Sequence, residues 1–171
     1  MSLKRRPPEP TQRLAFREMT PDDLDDMAAL LGDSEVMRYY PRPMSRDEAL
    51  RWIEWNQRGY REHGHGLWLI TLRSSGEFVG NCGLTLQNIE GVIRTEVGYL
   101  VRAELQGNGY ATEAAIACRD YARDVLKLDR LIAIINPDNV PSQRVAEKIG
   151  LTLECEAVYQ DRPARIYAST L

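Results

Sequence analysis

The sequence predicts a single α/β domain with a strand–helix–strand unit at its centre. Three observations carry that reading. Apolar residues recur at helical spacing near the start and switch to strand-like alternation in the middle. A stripe of small residues at helical spacing then lies between two apolar runs. With 171 residues the chain has room for one domain with a sizeable core.

Residues 1 to 11 are charged and proline-rich, lack periodicity, and read as a flexible lead-in to a domain over 12–171. Met1-Ser2-Leu3 is compatible with a cloning remnant. Arg13 to Met19 is a short strand candidate. Thr20-Pro21-Asp22-Asp23 then opens a helix: a hydroxyl for first-turn amides, a proline suited to the first position, acids at the positive end. Leu24, Met27, Ala28 and Leu31 give that helix one buried face. Ser45 with Glu48 makes a capping box for a second helix through Trp52, Ile53 and Tyr60.

Leu67–Leu72, Phe78–Leu86 and Val92–Val101 read as three antiparallel strands joined by the short links Ser74-Ser75-Gly76 and 88–91. The long helix follows, with Ala111, Ala114, Ala115, Cys118, Tyr121, Ala122 and Val125 on one stripe. Leu131–Ile135 is continuously apolar, as a strand buried on both faces should be. Ser142–Ile149 reads as a short helix stopped by Gly150 in a left-handed cap. Leu151–Tyr159 and Arg165–Thr170 close the chain as strands. Neither a repeat nor a low-complexity tract interrupts this order.

Composition narrows the function classes. Hydrophobic residues make up 43% and charged residues 27%, the balance of a soluble globular protein. No apolar run approaches the roughly 18 residues of a membrane span, and the basic start has no apolar segment behind it; a cytoplasmic enzyme is expected. A formal charge of −3 argues against duplex DNA as a main partner. Cys82, Cys118 and Cys155 lie far apart and His63 and His65 are the only histidines, so no metal site is expected. The histidines, beside Gly64 and Gly66, read as a solvated helix end and turn.

Chemistry concentrates in Gln106-Gly107-Asn108-Gly109-Tyr110-Ala111, between the strand ending at Val101 and the striped helix. Two glycines one residue apart let backbone amides approach a ligand, and a helix N-terminus there exposes unpaired N–H groups. Strand, glycine loop and helix together make an anion-binding arrangement. An ordinary tight turn accounts for the same residues equally well. Without the Gly-Lys-Ser/Thr of a phosphate loop or the third glycine of a dinucleotide fingerprint, nucleotide binding is a weaker reading.

Gln106-x-x-Gly109-x-Ala111 resembles the Gln/Arg-x-x-Gly-x-Gly/Ala signature of the GNAT acetyltransferases. The wider pattern resembles the ribosomal-protein N-terminal acetyltransferase (RimJ/RimL) branch. It comprises Arg13-Leu14-x-x-Arg17, Gly80-x-x-Gly83-Leu84, Glu96-Val97-Gly98-Tyr99, Asn136-x-x-Asn139-x-x-Ser142 and Glu147-Lys148-Ile149-Gly150-Leu151. The resemblance spans about residues 11–170. It implies a mixed, mostly antiparallel sheet of about seven strands, about four helices, and a central parallel pair that splays apart. It also implies acetyl-CoA as cosubstrate. Pantetheine would bond to backbone groups of Tyr99, Leu100 and Val101 and to Asn139, with Ser142 near the thioester sulfur. Amides of Gln106, Gly107, Asn108, Gly109, Tyr110 and Ala111 would hold the pyrophosphate.

An alkylammonium with a pKa of roughly 10 must lose a proton before it attacks a thioester. Glu96, on the splayed strand, is the candidate base, against the plainer reading of a surface glutamate. The oxyanion needs a fixed donor, for which the N–H of Gly98 or Tyr99 would serve. Many relatives place a tyrosine acid seven residues after the asparagine; here that position is Ala146. Ser142 or an ordered water then has to serve the leaving thiolate, unless Ser142 merely begins a helix. Trp52, Trp55 and Trp68 are candidates for an acceptor pocket, Trp52 the more readily a packing residue. Tyr39-Tyr40-Pro41-Arg42-Pro43 lies where relatives shape that site, and Arg144 and Lys148 are solvated charges or phosphate contacts. The acceptor would be an amine, either a small molecule or a protein N-terminus. A homodimer is compatible with the sequence. The competing function is a non-catalytic acyl-CoA-binding module, suggested by Ala146.

Overall fold

A computed structural model describes residues 5–171; the reading of residues 1–3, and the first four residues of the lead-in, lie outside the described residues. Residues 5–11 have no regular secondary structure. Tyr121 donates a 2.9 Å hydrogen bond to the Arg6 carbonyl, Arg73 a 2.8 Å bond to the Thr11 carbonyl, and the Thr11 hydroxyl a 2.6 Å bond to Glu113.

The elements run β1 (Leu14–Arg17), α1 (Leu24–Gly32), α2 (Arg46–His63), β2 (Leu67–Leu72), β3 (Phe78–Ile89), β4 (Val92–Val101), α3 (Tyr110–Asp124), β5 (Arg130–Ile135), α4 (Val140–Lys148), β6 (Thr152–Tyr159) and β7 (Arg162–Thr170). The seven strands form one sheet in the order β1-β2-β3-β4-β5-β7-β6, antiparallel throughout except for the parallel pair β4–β5. The expected mixed sheet with four helices is therefore the fold found.

Both predicted caps form. Thr20 and Asp23 make a reciprocal box, but it opens a 3-10 turn, Pro21–Asp23, ahead of α1. Ser45 and Glu48 make the second box at α2. Ala114, Ala115, Cys118, Tyr121 and Ala122 of α3 pack with Ala146 of α4 and with Ile149 just after it on one face of the sheet. Met27, Leu30 and Leu31 of α1 and Ala49 and Ile53 of α2 cover the other face. β5 reads as expected: Leu131, Ala133 and Ile135 join the first core while Ile132 joins a third cluster with Ile89, Ile166 and Ala168.

Several boundaries move for local reasons. β3 runs to Ile89 because Glu90 and Gly91, both with positive φ, close a two-residue hairpin opposite Val92. A second such turn at Gln160 and Asp161 lets β7 begin at Arg162, ahead of the expected Arg165. α4 begins at Val140 because Pro141 suits the first turn and the Asn139 side chain caps it. His65 is a correction. It is only 7% exposed, its Nδ1 lies 2.8 Å from the Leu84 carbonyl, and burial holds its pKa below the usual value. The chain turns back into β2 there, and the imidazole is drawn under it. His63 remains at the exposed helix end.

Candidate active site

The site begins where the sheet comes apart. The bonded register between β4 and β5 is confined to Glu96 opposite Ile132. Beyond it the strands diverge, and β4 continues to Val101 bonded only to β3. The Leu100 carbonyl faces Gly80 of β3. Because an antiparallel strand alternates its polar groups from side to side, those of Gly98 and Leu100 are spent on β3 while those of Tyr99 and Val101 face the gap. Of the two expected oxyanion donors, Tyr99 is the one so oriented. Leu100 contributes its side chain, not its backbone, to the cleft.

The loop after β4 is shaped by its own side chains. Gln106 Nε2 donates to the Val101 carbonyl at 3.0 Å, and Asn108 Nδ2 to the Leu105 carbonyl at 2.9 Å. The Gln106 N–H is used by the Ala103 carbonyl. Gly107 and Gly109 take φ of 80° and 81°, the left-handed conformation that a side chain resists. From Gly107 to Thr112 no backbone N–H has a protein acceptor among the described residues. That row of unpaired donors at the start of α3 suits an anion larger than a single carboxylate. Gln106 shapes the cradle rather than donating from its amide.

Arg13 completes the loop, a role the sequence reading missed. Its guanidinium lies 4.5 Å from the Tyr110 ring centroid and donates to the Asn108 carbonyl at 2.9 Å and to Glu113 at 2.7 Å. Burial opposes the Glu113 charge, yet bonds from Thr11 and Arg13 hold its pKa below the usual range. The only signal was Arg13's place in the resemblance motif.

A cleft of about 970 Å3 runs from this loop across the splayed strands to the tip of β7. Every predicted catalytic and cosubstrate residue lies on its wall except Asn108, whose carbonyl turns to Arg13, while Arg42 and Pro43 of the predicted acceptor segment lie off it. Ser142 and Tyr99 clasp each other across the gap: the Ser142 hydroxyl donates to Tyr99 Oη at 3.0 Å, and Tyr99 Oη donates to the Ser142 carbonyl at 2.8 Å. Asn139 Oδ1 accepts from the Ser142 N–H at 3.2 Å. The helix cap is thus Asn139, which leaves the Ser142 hydroxyl free for Tyr99.

Glu96 sits half-buried in the cleft opposite Thr85. Burial pushes its pKa up to about 8, and the Gln87 amide offsets part of that rise. Gln87 in turn donates to the Thr85 hydroxyl at 3.1 Å and accepts from Tyr159 at 2.6 Å. The Tyr40 hydroxyl is also close enough to feel the Glu96 charge. Gln87 and Tyr159 carried no sequence signal, because only strand register brings them to Glu96. The tryptophans sort differently from the expectation: Trp52 and Trp55 line the cleft, whereas Trp68 is core, 1% exposed and edge-on to Tyr121 at 5.1 Å.

Residues 13–152 match the family profile of the acetyltransferase (GNAT) domain. The chain belongs to the GNAT acetyltransferase family. It is an acetyl-CoA-dependent N-acetyltransferase. The Bacillus subtilis protein YkkB is 37% identical, with 92% of each chain covered. The Bacillus subtilis N-acetyltransferase YnaD is 30% identical over 84% of this chain and 82% of its own length. Among solved structures, the acetyltransferase from Agrobacterium tumefaciens superposes with a TM-score of 0.85 at 28% identity, covering 96% of this chain and 95% of that one. RimL, a ribosomal L7/L12 α-N-protein acetyltransferase solved with coenzyme A, shares the fold at a TM-score of 0.75 and 20% identity.

The residues present fit acetyl-CoA. The unpaired amides from Gly107 to Thr112 would suit a pyrophosphate, and the open edge at Tyr99 would suit an amide-bearing arm. Gly109→Ala tests the loop. A Cβ there forces a left-handed non-glycine residue, at about 1–2 kcal/mol, and would sit 3.4 Å from Arg13 Nη2. The KM for acetyl-CoA should rise about tenfold with kcat nearly unchanged, as measured by steady-state thiol release.

Proposed function

We propose that the chain transfers acetyl to a primary amine by direct attack within one ternary complex, and that Glu96 accepts the ammonium proton. The observation that carries this reading is the place of Glu96, at the last bonded position before β4 and β5 part. A carboxyl group with a pKa of about 8 takes a proton from an amine far better than an ordinary glutamate does. The bound cosubstrate supplies an acyl group on a thiol leaving group. The Tyr99 N–H is turned toward the gap to meet the developing oxyanion. By turning its proton out of the clasp, the Ser142 hydroxyl can donate a hydrogen bond to the departing thiolate, replacing the acid absent at Ala146. Tyr99, Val101, Asn139, Ser142 and the loop from Gln106 to Ala111 make up the cosubstrate's half of the cleft.

The motif pattern supports placement in the RimJ/RimL branch, with a protein α-amine or a small amine as acceptor. The decisive assay mixes the protein and acetyl-CoA with peptides, polyamines, aminoglycosides and arylalkylamines and reads thiol release. Release above background with at least one amine is expected, and silence across the panel sinks the proposal. Tyr99→Phe keeps the ring and removes the clasp. It should lower kcat by roughly three- to tenfold, the worth of one hydrogen bond, and leave the KM of the amine unchanged.

A further inference from the structure

The acceptor half of the cleft has a composition that the proposed transfer chemistry does not require. Tyr39, Tyr40, Trp52, Trp55 and Tyr159 all line it. Tyr40 and Trp55 are 44% and 38% exposed, so their rings are open to a ligand entering the cleft. The Tyr39 carbonyl is pinned across the cleft by Asn136 at 3.2 Å and Arg162 at 3.3 Å, so the backbone carrying Tyr39 is held in place.

The charge of the walls is also selective. Among the described residues Glu35 and Glu96 are the only carboxylates on the lining, whereas Arg38, Arg144, Lys148 and Arg162 are cationic. A polyamine or aminoglycoside needs several carboxylates to replace its hydration, and this cleft repels the second and third charges. One ammonium, at Glu96, fits this balance better than several.

A third observation is independent of both. Asn81, on β3 opposite Leu100, is 1% exposed and lines the cleft, and neither its Oδ1 nor its Nδ2 has a hydrogen-bond partner. A buried carboxamide with both ends unpaired is rare in native proteins and costly unless a ligand meets it. Its cross-strand partners, Leu69 and Leu100, are apolar.

We infer that the acceptor is a monoamine carried on a planar aromatic body, and that it bears an amide-like group read by Asn81. This rests on the amine-acetylation reading and narrows its substrate class. Stacking on the rings selects the body, the excess of cations disfavours polycations, and Asn81 offers one donor and one acceptor to a group with the complementary pair.

The test is calorimetric binding of amines to the CoA-saturated enzyme, followed by thiol release from acetyl-CoA. Phenylalaninamide and phenethylamine should bind at least about tenfold tighter than spermidine or kanamycin. Phenylalaninamide should exceed phenethylamine, and Asn81→Leu should erase that gap while sparing phenethylamine. Trp55→Ala, at an exposed position where folding is not at stake, should weaken both aromatic amines by about tenfold and leave CoA affinity unchanged. Tighter binding of spermidine or kanamycin, or no amine binding at all, overturns the inference. Persistence of the amide preference in Asn81→Leu overturns the role of Asn81. Tight aromatic binding without thiol release sinks the transferase reading while supporting the pocket.

Discussion

Glu96→Gln lowers kcat by about 10²- to 10⁴-fold, the usual worth of a general base, and changes the shape of the pH profile. With the Glu96 pKa near 8 in the free enzyme, only about a tenth of it carries the carboxylate at pH 7, so kcat/KM for the amine rises with unit slope and levels off above pH 8. In the glutamine variant that break disappears. The residual rate instead climbs toward a pH of roughly 10, where the amine deprotonates itself. Thermal unfolding distinguishes lost chemistry from lost fold. A carboxyl group whose pKa is raised in the folded state binds its proton more tightly there than in the unfolded chain. Stability is therefore fully present below the ordinary value of 4.5 and drains away as pH rises toward about 8. The neutral amide carries no such penalty, so Glu96→Gln should melt at an equal or higher temperature at pH 9. A variant that keeps wild-type kcat and the break of kcat/KM at pH 8 would remove Glu96 from the reaction.

What the sequence made legible follows from the range of the forces involved. Helices, caps and the β5 run are written in spacings of a few residues, and each was read from the chain. So was the loop, because Gly107 and Gly109 are needed locally for their left-handed backbone. The surroundings of Glu96 were not, since Gln87, Tyr159 and Tyr40 reach it from three other segments. The tryptophans failed for a related reason. Trp68 alternates with its strand neighbours onto the α3 face, whereas Trp52 and Trp55 lie on the side of α2 that looks into the cleft. Large aromatic side chains look alike until a tertiary neighbour claims one face. Arg13 falls between these cases: the family pattern marked it, but only its contact with the Asn108 carbonyl explains it.

Gly83→Ala separates the structural part of that pattern from the catalytic part. Gly83 is paired with Gly98 on β4 and Leu67 on β2, and its backbone lies against the Gly66 carbonyl. A methyl group at this position would meet that carbonyl and come within 2.6 Å of the Leu67 Cα. Both are backbone atoms, so no side chain can rotate away. The Leu84 N–H bonds to the same Gly66 carbonyl at 3.1 Å, and Asn56 Oδ1 holds the Leu67 N–H at 2.8 Å. Pushing β2 aside breaks these bonds together and costs on the order of 3 kcal/mol or more. The melting temperature should fall by about 6–12 °C at the usual 2–4 °C per kcal/mol for a chain of this size. Leu67 also packs over Gly98, beside the backbone that faces the gap at Tyr99. Displacing β2 should therefore raise the KM for acetyl-CoA at temperatures where the variant is still folded. Gly76→Ala is the control: its Cβ would meet nothing within 4 Å, and the left-handed turn alone costs about 1–2 kcal/mol. A Gly83→Ala protein that melts no lower than Gly76→Ala would show that the sheet here yields more easily than its packing implies.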